Sequence, residues 1–130
     1  MAVDADKIRS WKRRGKYAEQ SFVRILKEAG YKAVRIPVSN PSMTSLPDVF
    51  ASKDDEVYAF ELKAHQYYAY FEPYQIKKLF DFLDMIPTSS KLKHAILAAR
   101  FGKKWICKDI KAVPDSPVRI CKRDHGNWEI

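Results

Sequence analysis

The stretch from Pro47 to Lys63 constrains the fold more than any other part of the chain. Residues 48–52 form a short run of β-formers. Lys53-Asp54-Asp55-Glu56 is a polar turn, and residues 57–63 are a second run rich in β-branched and aromatic side chains. A hairpin centred on Asp54-Asp55 pairs residues whose numbers sum to 109, which sets Asp48 directly across from Glu61. Opposed residues of an antiparallel pair stand about 4.5–5.5 Å apart. Strand alternation then puts Glu61 and Lys63 on one face and Tyr58, Phe60 and Leu62 on the other. Two acids facing each other across a ladder repel, so a chain that keeps them needs a cation nearby.

The same residues read as a PD…ExK signature: Pro47-Asp48, then Glu61-Leu62-Lys63, with twelve residues between the two carboxylates. Two carboxylates completed by waters are a usual setting for Mg²⁺. Such an ion polarises a phosphodiester and lowers the pKa of a bound water. Lys63 would orient that water or stabilise developing negative charge. Glu19, one step from the apolar stripe of the first helix, reaches this place if that helix packs over the sheet; otherwise it is a solvated glutamate. Asp109-Ile110-Lys111 and Pro114-Asp115 echo the motif in reversed order at too short a spacing for a hairpin, and are taken as chance.

The charge distribution agrees with a phosphate-bearing partner. Residues 1–35 carry ten Lys and Arg against four acids, residues 36–90 four against eight, and residues 91–130 ten against four. Two basic arms thus flank an acidic middle, with a net charge of +8. Basic arms neutralise phosphates, whereas an acidic centre repels them unless something cationic sits there.

At 130 residues the chain is expected to be a single domain, with a basic N-terminal arm over about residues 1–16. Residues 1–6 hold two acids and no apolar run, so no secretory signal is expected. The longest charge-free stretch, residues 36–47, has three prolines and is too short to span a bilayer. A cytoplasmic protein follows as the expectation. Cys107 and Cys121 form no metal-ligand or disulfide framework by spacing and read as free thiols.

Along the chain, Ala18, Phe22, Ile25, Leu26 and Ala29 recur at helical spacing, which predicts a helix over 10–30 ended by Gly30. The Lys12-Arg13-Arg14-Gly15-Lys16 run falls at or before its first turns. Residues 31–38 alternate as a strand with Val34, Ile36 and Val38 on one face; residues 39–47 form a long seryl loop of the kind that often carries function. Pro73 starts a second helix that continues through Ile76, Leu79, Phe80 and Leu83 to Met85. Residues 94–99 read as a buried strand, with weaker strands at 105–107 and 118–121. The order α-β-β-β-α-β-β predicts an α/β fold, a mixed central sheet flanked by helices.

Extended outward from the motif, the sequence resembles the archaeal Holliday-junction resolvases. Lys16-Tyr17-Ala18-Glu19 resembles their glutamate-bearing helix, and residues 34–40 resemble their strand and seryl loop. Leu46-Pro47-Asp48-Val49-Phe50-Ala51 and Phe60-Glu61-Leu62-Lys63 resemble the metal-binding core, and Gln75-Ile76-Lys77-Lys78-Leu79 the helix after it. The resemblance implies a restriction-endonuclease-like core and a homodimer that nicks paired strands of a four-way DNA junction. It implies Mg²⁺ as the cofactor, with Mn²⁺ as a substitute. By position, Glu19, Asp48 and Glu61 would be metal ligands, Lys63 the catalytic lysine and Ser39 the loop serine at the scissile strand. Arg35 and Gln75 would support the site. Arg13, Arg14, Lys16, Arg35 and Ser39 would contact DNA.

The resemblance runs over about the first hundred residues. Residues 65–74 depart from it, with Tyr67, Tyr68, Tyr70, Phe71 and Tyr74 in one segment, and residues from 103 onward match nothing in it. The aromatic cluster reads as core or rim packing beside the site, and Trp11, Trp105 and Trp128 as packing. His65 is expected to be neither ligand nor base. Two other functions stay open: a different nuclease of the same core, restriction-like or repair-nicking, and a basic DNA-binding module without enzymatic activity.

Overall fold

The computed structural model describes residues 5–37 and 46–130, apart from the side chains of residues 7–14. Helix α1 (Ala5–Glu28) leads into β1 (Lys32–Arg35), β2 (Val49–Lys53), β3 (Glu56–Ala64) and β4 (Tyr68–Phe71). Helix α2 (Pro73–Asp84) follows, then β5 (Lys93–Phe101), β6 (Lys104–Ile110) and β7 (Val118–Cys121). The main sheet runs β1-β2-β3-β5-β6, with only β3 and β5 parallel. A separate two-stranded sheet pairs β4 with β7. This is the expected mixed α/β architecture with a helix on either side of the sheet.

The two faces of the sheet form two cores. On one, Phe22 and Leu26 of α1 pack over Val49, Ala51, Phe60, Ile96 and Ala98. On the other, Ile76, Leu79 and Leu83 of α2 pack over Ala59, Leu97 and Ala99. Odd and even residues of β3 and β5 therefore face different helices, and both faces are dry. That explains the near-continuous apolar run of β5. Each fully buried Phe or Leu contributes about 1.5–3 kcal/mol of transfer free energy.

The hairpin forms in the expected register. Val49 pairs with Phe60 and Lys53 with Glu56 around the Asp54-Asp55 turn, where Asp54 takes φ 55°. The first helix closes as expected too. Gly30 at φ 93° allows Tyr31 N–H to donate to Leu26 O at 3.0 Å and Gly30 N–H to Lys27 O at 3.0 Å.

Three expectations are corrected. Helix α1 begins at Ala5, so residues 12–16 lie inside it and do not precede its first turns. Strand β1 spans only Lys32–Arg35, and Val34 is 55% exposed. Val34 lies beside Phe50 at the sheet edge, beyond the strands that α2 covers, whereas Ala33 is the residue packed beneath α1. The segment 65–74 holds a strand, β4, that alternation alone did not reveal. Ala69 and Phe71 turn inward while Tyr67, Tyr68, Tyr70 and Tyr74 stay 45–67% exposed, so packing accounts for Phe71 and not for the tyrosines.

The C-terminal part is built into the main sheet. Gly126 at φ 70° sits where a Cβ would come within 2.4 Å of Cys107 O. That close approach lets Asn127 N–H donate to Cys107 O at 3.1 Å and lays Trp128 against Tyr58 and Phe60. Trp105 packs against Phe22 with the rings tilted at 55°, so both tryptophans pack as expected; the Trp11 side chain lies outside the described residues. Cys107 and Cys121 are free thiols, and burial pushes Cys107 up to about 12. Asp109, of the discounted second motif, accepts from His94 Nδ1 at 2.9 Å on β5 and from Lys111 at 3.2 Å. No helix among the described residues is long and apolar enough to cross a membrane.

Candidate active site

The ladder between β2 and β3 stops at Val49, and there the side chain of Asp48 takes over. Asp48 N–H donates to Phe60 O at 2.9 Å, while its carboxylate accepts from Leu62 N–H at 2.8 Å. Asp48 O accepts from Ile36 N–H at 2.9 Å, tying the end of β1 to the same point. Three strand ends are thereby clamped around one carboxylate, and its orientation is fixed before any ligand arrives.

Glu61 follows Ala59 on the α2 side of β3 and is only 5% exposed. It faces Asp48 closely enough for the pair to share a hydrogen bond when one of them is protonated. Burial first, and the Asp48 charge second, push the Glu61 carboxyl up to about 8. Burial also raises Asp48, against the Leu62 N–H and the charge of Lys78, which favour its ionised form. One oxygen of Glu61, Oε2, is buried and has no hydrogen-bond partner among the described residues. A half-buried and a buried carboxylate facing each other, with an oxygen unsatisfied, are costly unless a proton or a metal cation lies between them. Oxygen donors of this kind suit a hard divalent ion.

Lys63 lies beside the pair, and its charge lowers the proton affinity of both acids. Its ammonium stands 5.7 Å from the centroid of the Phe71 ring. Phe71 is, with Ala69, a buried residue of β4, so the aromatic segment brings a ring close to the Lys63 ammonium.

Glu19 reaches this end of the sheet from α1, on the opposite face, near enough to feel the charge of Asp48. Its carboxylate accepts from Arg35 Nε at 2.6 Å. Burial raises its pKa and the Arg35 hydrogen bond opposes that rise. Among the described residues no three His, Cys, Asp or Glu side chains are gathered closely enough to hold a metal. The expected trio is therefore a pair, Asp48 and Glu61, with Glu19 held to one side by Arg35.

Gln75 caps α2: its Oε1 accepts from Glu72 N–H at 2.9 Å in a capping box. It fixes the start of the helix that faces Glu61. His65 is exposed, with burial and Lys63 lowering its pKa. Lys16 is exposed on α1. Ser39 and the side chains of Arg13 and Arg14 lie outside the described residues.

Two cations at this end escaped the sequence reading. Lys78 of α2 places Nζ 3.8 Å from the unsatisfied Oε2 of Glu61. Arg100, paired with Ala64 in the β3–β5 ladder, lays its guanidinium over Tyr17 at 5.4 Å and Trp105 at 5.9 Å. Its Nε is buried without a partner. Helical spacing could have set Lys78 apart from Lys77, which bonds Asp81 one turn on at 2.7 Å; nothing in the sequence distinguishes Arg100.

A mixed sheet between two helices, with an acidic pair and a lysine at the open end of its central hairpin, defines the restriction-endonuclease-like class of α/β folds. More narrowly, the chain belongs to the archaeal Holliday junction resolvase (Hjc) family, whose model matches residues 10–130. The match includes residues 103–130, where the sequence alone offered no resemblance. Among its relatives is the crossover junction endodeoxyribonuclease Hje of Sulfolobus acidocaldarius, 36% identical over 109 residues, 82% of this chain and 76% of that protein. Hje of Saccharolobus islandicus is 42% identical over 109 residues, 82% of this chain and 78% of that protein. A crossover junction endodeoxyribonuclease of Sulfolobus islandicus rod-shaped virus 1 is 39% identical over 72 residues, 55% of this chain and 60% of that protein. The solved structure of Archaeoglobus fulgidus Hjc superposes with a TM-score of 0.65 at 18% identity, covering 80% of this chain and 85% of that one. At that identity the likeness is one of fold.

Proposed function

We propose that this protein is a metal-dependent endodeoxyribonuclease that resolves four-way DNA junctions by paired nicks, with Mg²⁺ as its ion, or Mn²⁺ in its place. The observation that carries this reading is the half-buried Asp48 set against the buried Glu61, with one Glu61 oxygen left unsatisfied among the described residues. Its support comes from the family membership and from relatives named for crossover-junction cleavage. A non-enzymatic DNA-binding module has no use for such a pair.

In this reading Asp48 and Glu61 would hold the ion, and Glu19 would join them only if its hydrogen bond from Arg35 were given up. The ion, when bound, supplies Lewis acidity and a water acidic enough to attack phosphorus. Asp48 is held rigid by Leu62 N–H, so little reorganisation is needed on loading. Lys63 is positioned to orient the attacking water or to stabilise charge developing on the phosphate. Arg100, seated on two aromatic rings, is suited to grip a backbone phosphate beside Ala64. Arg13, Arg14 and Lys16 extend the basic surface along α1, and Ser39 meets the scissile strand. A homodimer would present two such sites to a two-fold junction, in the cytoplasm of a cell or of a virus's host.

The test is cleavage of a four-way junction and of matched linear duplexes, with Mg²⁺ and with EDTA. Junction-selective, Mg²⁺-dependent nicking is expected. Equal cutting of both substrates would leave only a nuclease of the same core, and no cutting of either would remove the enzymatic reading.

A further inference from the structure

Helix α2 brings a lysine to the acidic pair that neither the motif nor the proposed chemistry requires. Lys78 Nζ stands 3.8 Å from Glu61 Oε2, and that oxygen has no hydrogen-bond partner. Its charge is felt by Asp48 as well as by Glu61. The contact is an ion pair too long for a hydrogen bond. The lysine side chain is 38% exposed while that of Glu61 is 7% exposed, so the ammonium approaches from the solvent side. The backbone beneath it is rigid: the capping box at Glu72 and Gln75 fixes the first turn, and Ile76 and Leu79 on either side are fully buried. By contrast Lys77, its neighbour, is turned outward to Asp81. Lys78 is therefore carried to the pair by the helix, on a stem free to move.

A single positive charge tethered beside the buried Glu61 and the half-buried Asp48 has two electrostatic consequences. Without metal it offsets the repulsion of the pair. With a divalent ion between the acids, it faces a like charge of twice its own size at short range, and its contact with Glu61 becomes unfavourable. A flexible, partly exposed ammonium then moves toward the nearest anion. Where the protein acts on DNA, that anion is a backbone phosphate.

We propose that Lys78 is an exchangeable internal counter-ion: it occupies Glu61 in the metal-free protein, is displaced when a divalent cation takes the acidic pair, and is thereby released to bind a DNA phosphate. It is a positioning residue that couples metal loading to DNA grip. The proposal rests on the nuclease reading for its second half only, since the competition with metal requires no DNA.

The experiment has two arms on the full-length chain, comparing wild type with Lys78→Met, which keeps the stem without the charge, and Lys78→Arg, which restores charge. In the first, Mn²⁺ alone is titrated without DNA, and free Mn²⁺ is read by electron paramagnetic resonance. Lys78→Met is expected to bind roughly tenfold more tightly than wild type, because a like charge has been removed near the ion. Lys78→Arg should return toward the wild-type value. Affinity that is unchanged or weaker in Lys78→Met overturns the proposal; a merely structural role would weaken binding without rescue by Arg. In the second arm, binding to a four-way junction and to a linear duplex is measured against salt, with Ca²⁺ as a stand-in ion and with EDTA. Lys78→Met should reduce the salt slope by about 0.9 with Ca²⁺ and leave it unchanged in EDTA. An equal reduction under both conditions overturns the release step. Failure of the junction reading alone would show as equal results on the two DNAs, with the Mn²⁺ arm intact.

Discussion

Replacing Glu61 by Gln should make the metal-free protein more stable at neutral pH, and the size of the gain follows from where its carboxyl titrates. In the fold, burial and Asp48 hold that carboxyl at about 8; in the unfolded chain it returns to its ordinary value of 4.5. A carboxyl raised in the folded state favours folding fully only below the unfolded value, and that contribution is lost as pH climbs toward 8. The loss amounts to about 1.4 kcal/mol per pH unit across that window. By pH 7 it is on the order of 3 kcal/mol, and above pH 8 on the order of 5 kcal/mol. Glutamine has nearly the same shape and does not ionise, so the variant should lack this slope. The assay is urea unfolding in EDTA at intervals from pH 4.5 to 9, taking the difference between variant and wild type so that other titrating groups cancel. The gap should open with pH between 4.5 and 8 and then level. Saturating Mg²⁺ should narrow it, because an ion bound only by the folded wild type adds RT ln(1 + [Mg²⁺]/Kd) to its stability. A difference that stays flat across that range would refute the burial of an ionisable pair at this point, and with it the argument for a cation there.

Other perturbations separate the parts of the site. Asp48→Asn should abolish Mg²⁺-dependent cleavage, read on a labelled junction, while binding stays equal or tightens because negative charge near phosphate is removed; retained cleavage would dismiss Asp48 as a ligand. Replacing Arg13 and Arg14 together by Ala should flatten the salt dependence of DNA binding by nearly two units of slope, at about 0.9 per phosphate; an unchanged slope would turn that stretch of α1 away from DNA. Gly126→Ala meets Cys107 O at 2.4 Å and is held at φ 70°, so it should cost about 2 kcal/mol or more in denaturant unfolding. A neutral result would show that the C-terminal segment is not fixed against β6.

What was legible in the sequence is what local rules determine. A two-residue turn between β-forming runs sets the register of a hairpin, and the Val49–Phe60 pairing obeys it. Gly30 ends a helix because only a residue at ease with φ 93° completes the cap. Asp48, Glu61 and Lys63 could be assembled from these rules alone, since all three sit on one hairpin. Strand β4 could not be: its partner, β7, lies some fifty residues away, and with the tyrosines exposed its alternation places only Ala69 and Phe71 inside. Whether Glu19 reaches this end of the sheet or stays in solvent, and its pairing with Arg35, depend on how α1 crosses the sheet, which no spacing encodes.

Lys78 shows the limit most sharply. Lys77 and Lys78 are chemically identical neighbours on one helix, yet one completes a surface ion pair and the other meets the buried acid. Their difference arises from the roughly 100° that separates consecutive residues around a helix axis, together with the rotation of α2 that buries Ile76 and Leu79 against β3 and β5. Hydrophobic packing thus decides which lysine shares the electrostatics of the active site. The charge beside Glu61 is aimed by apolar contacts one and two residues away, so changes in the core of α2 should alter the acidic pair without touching it.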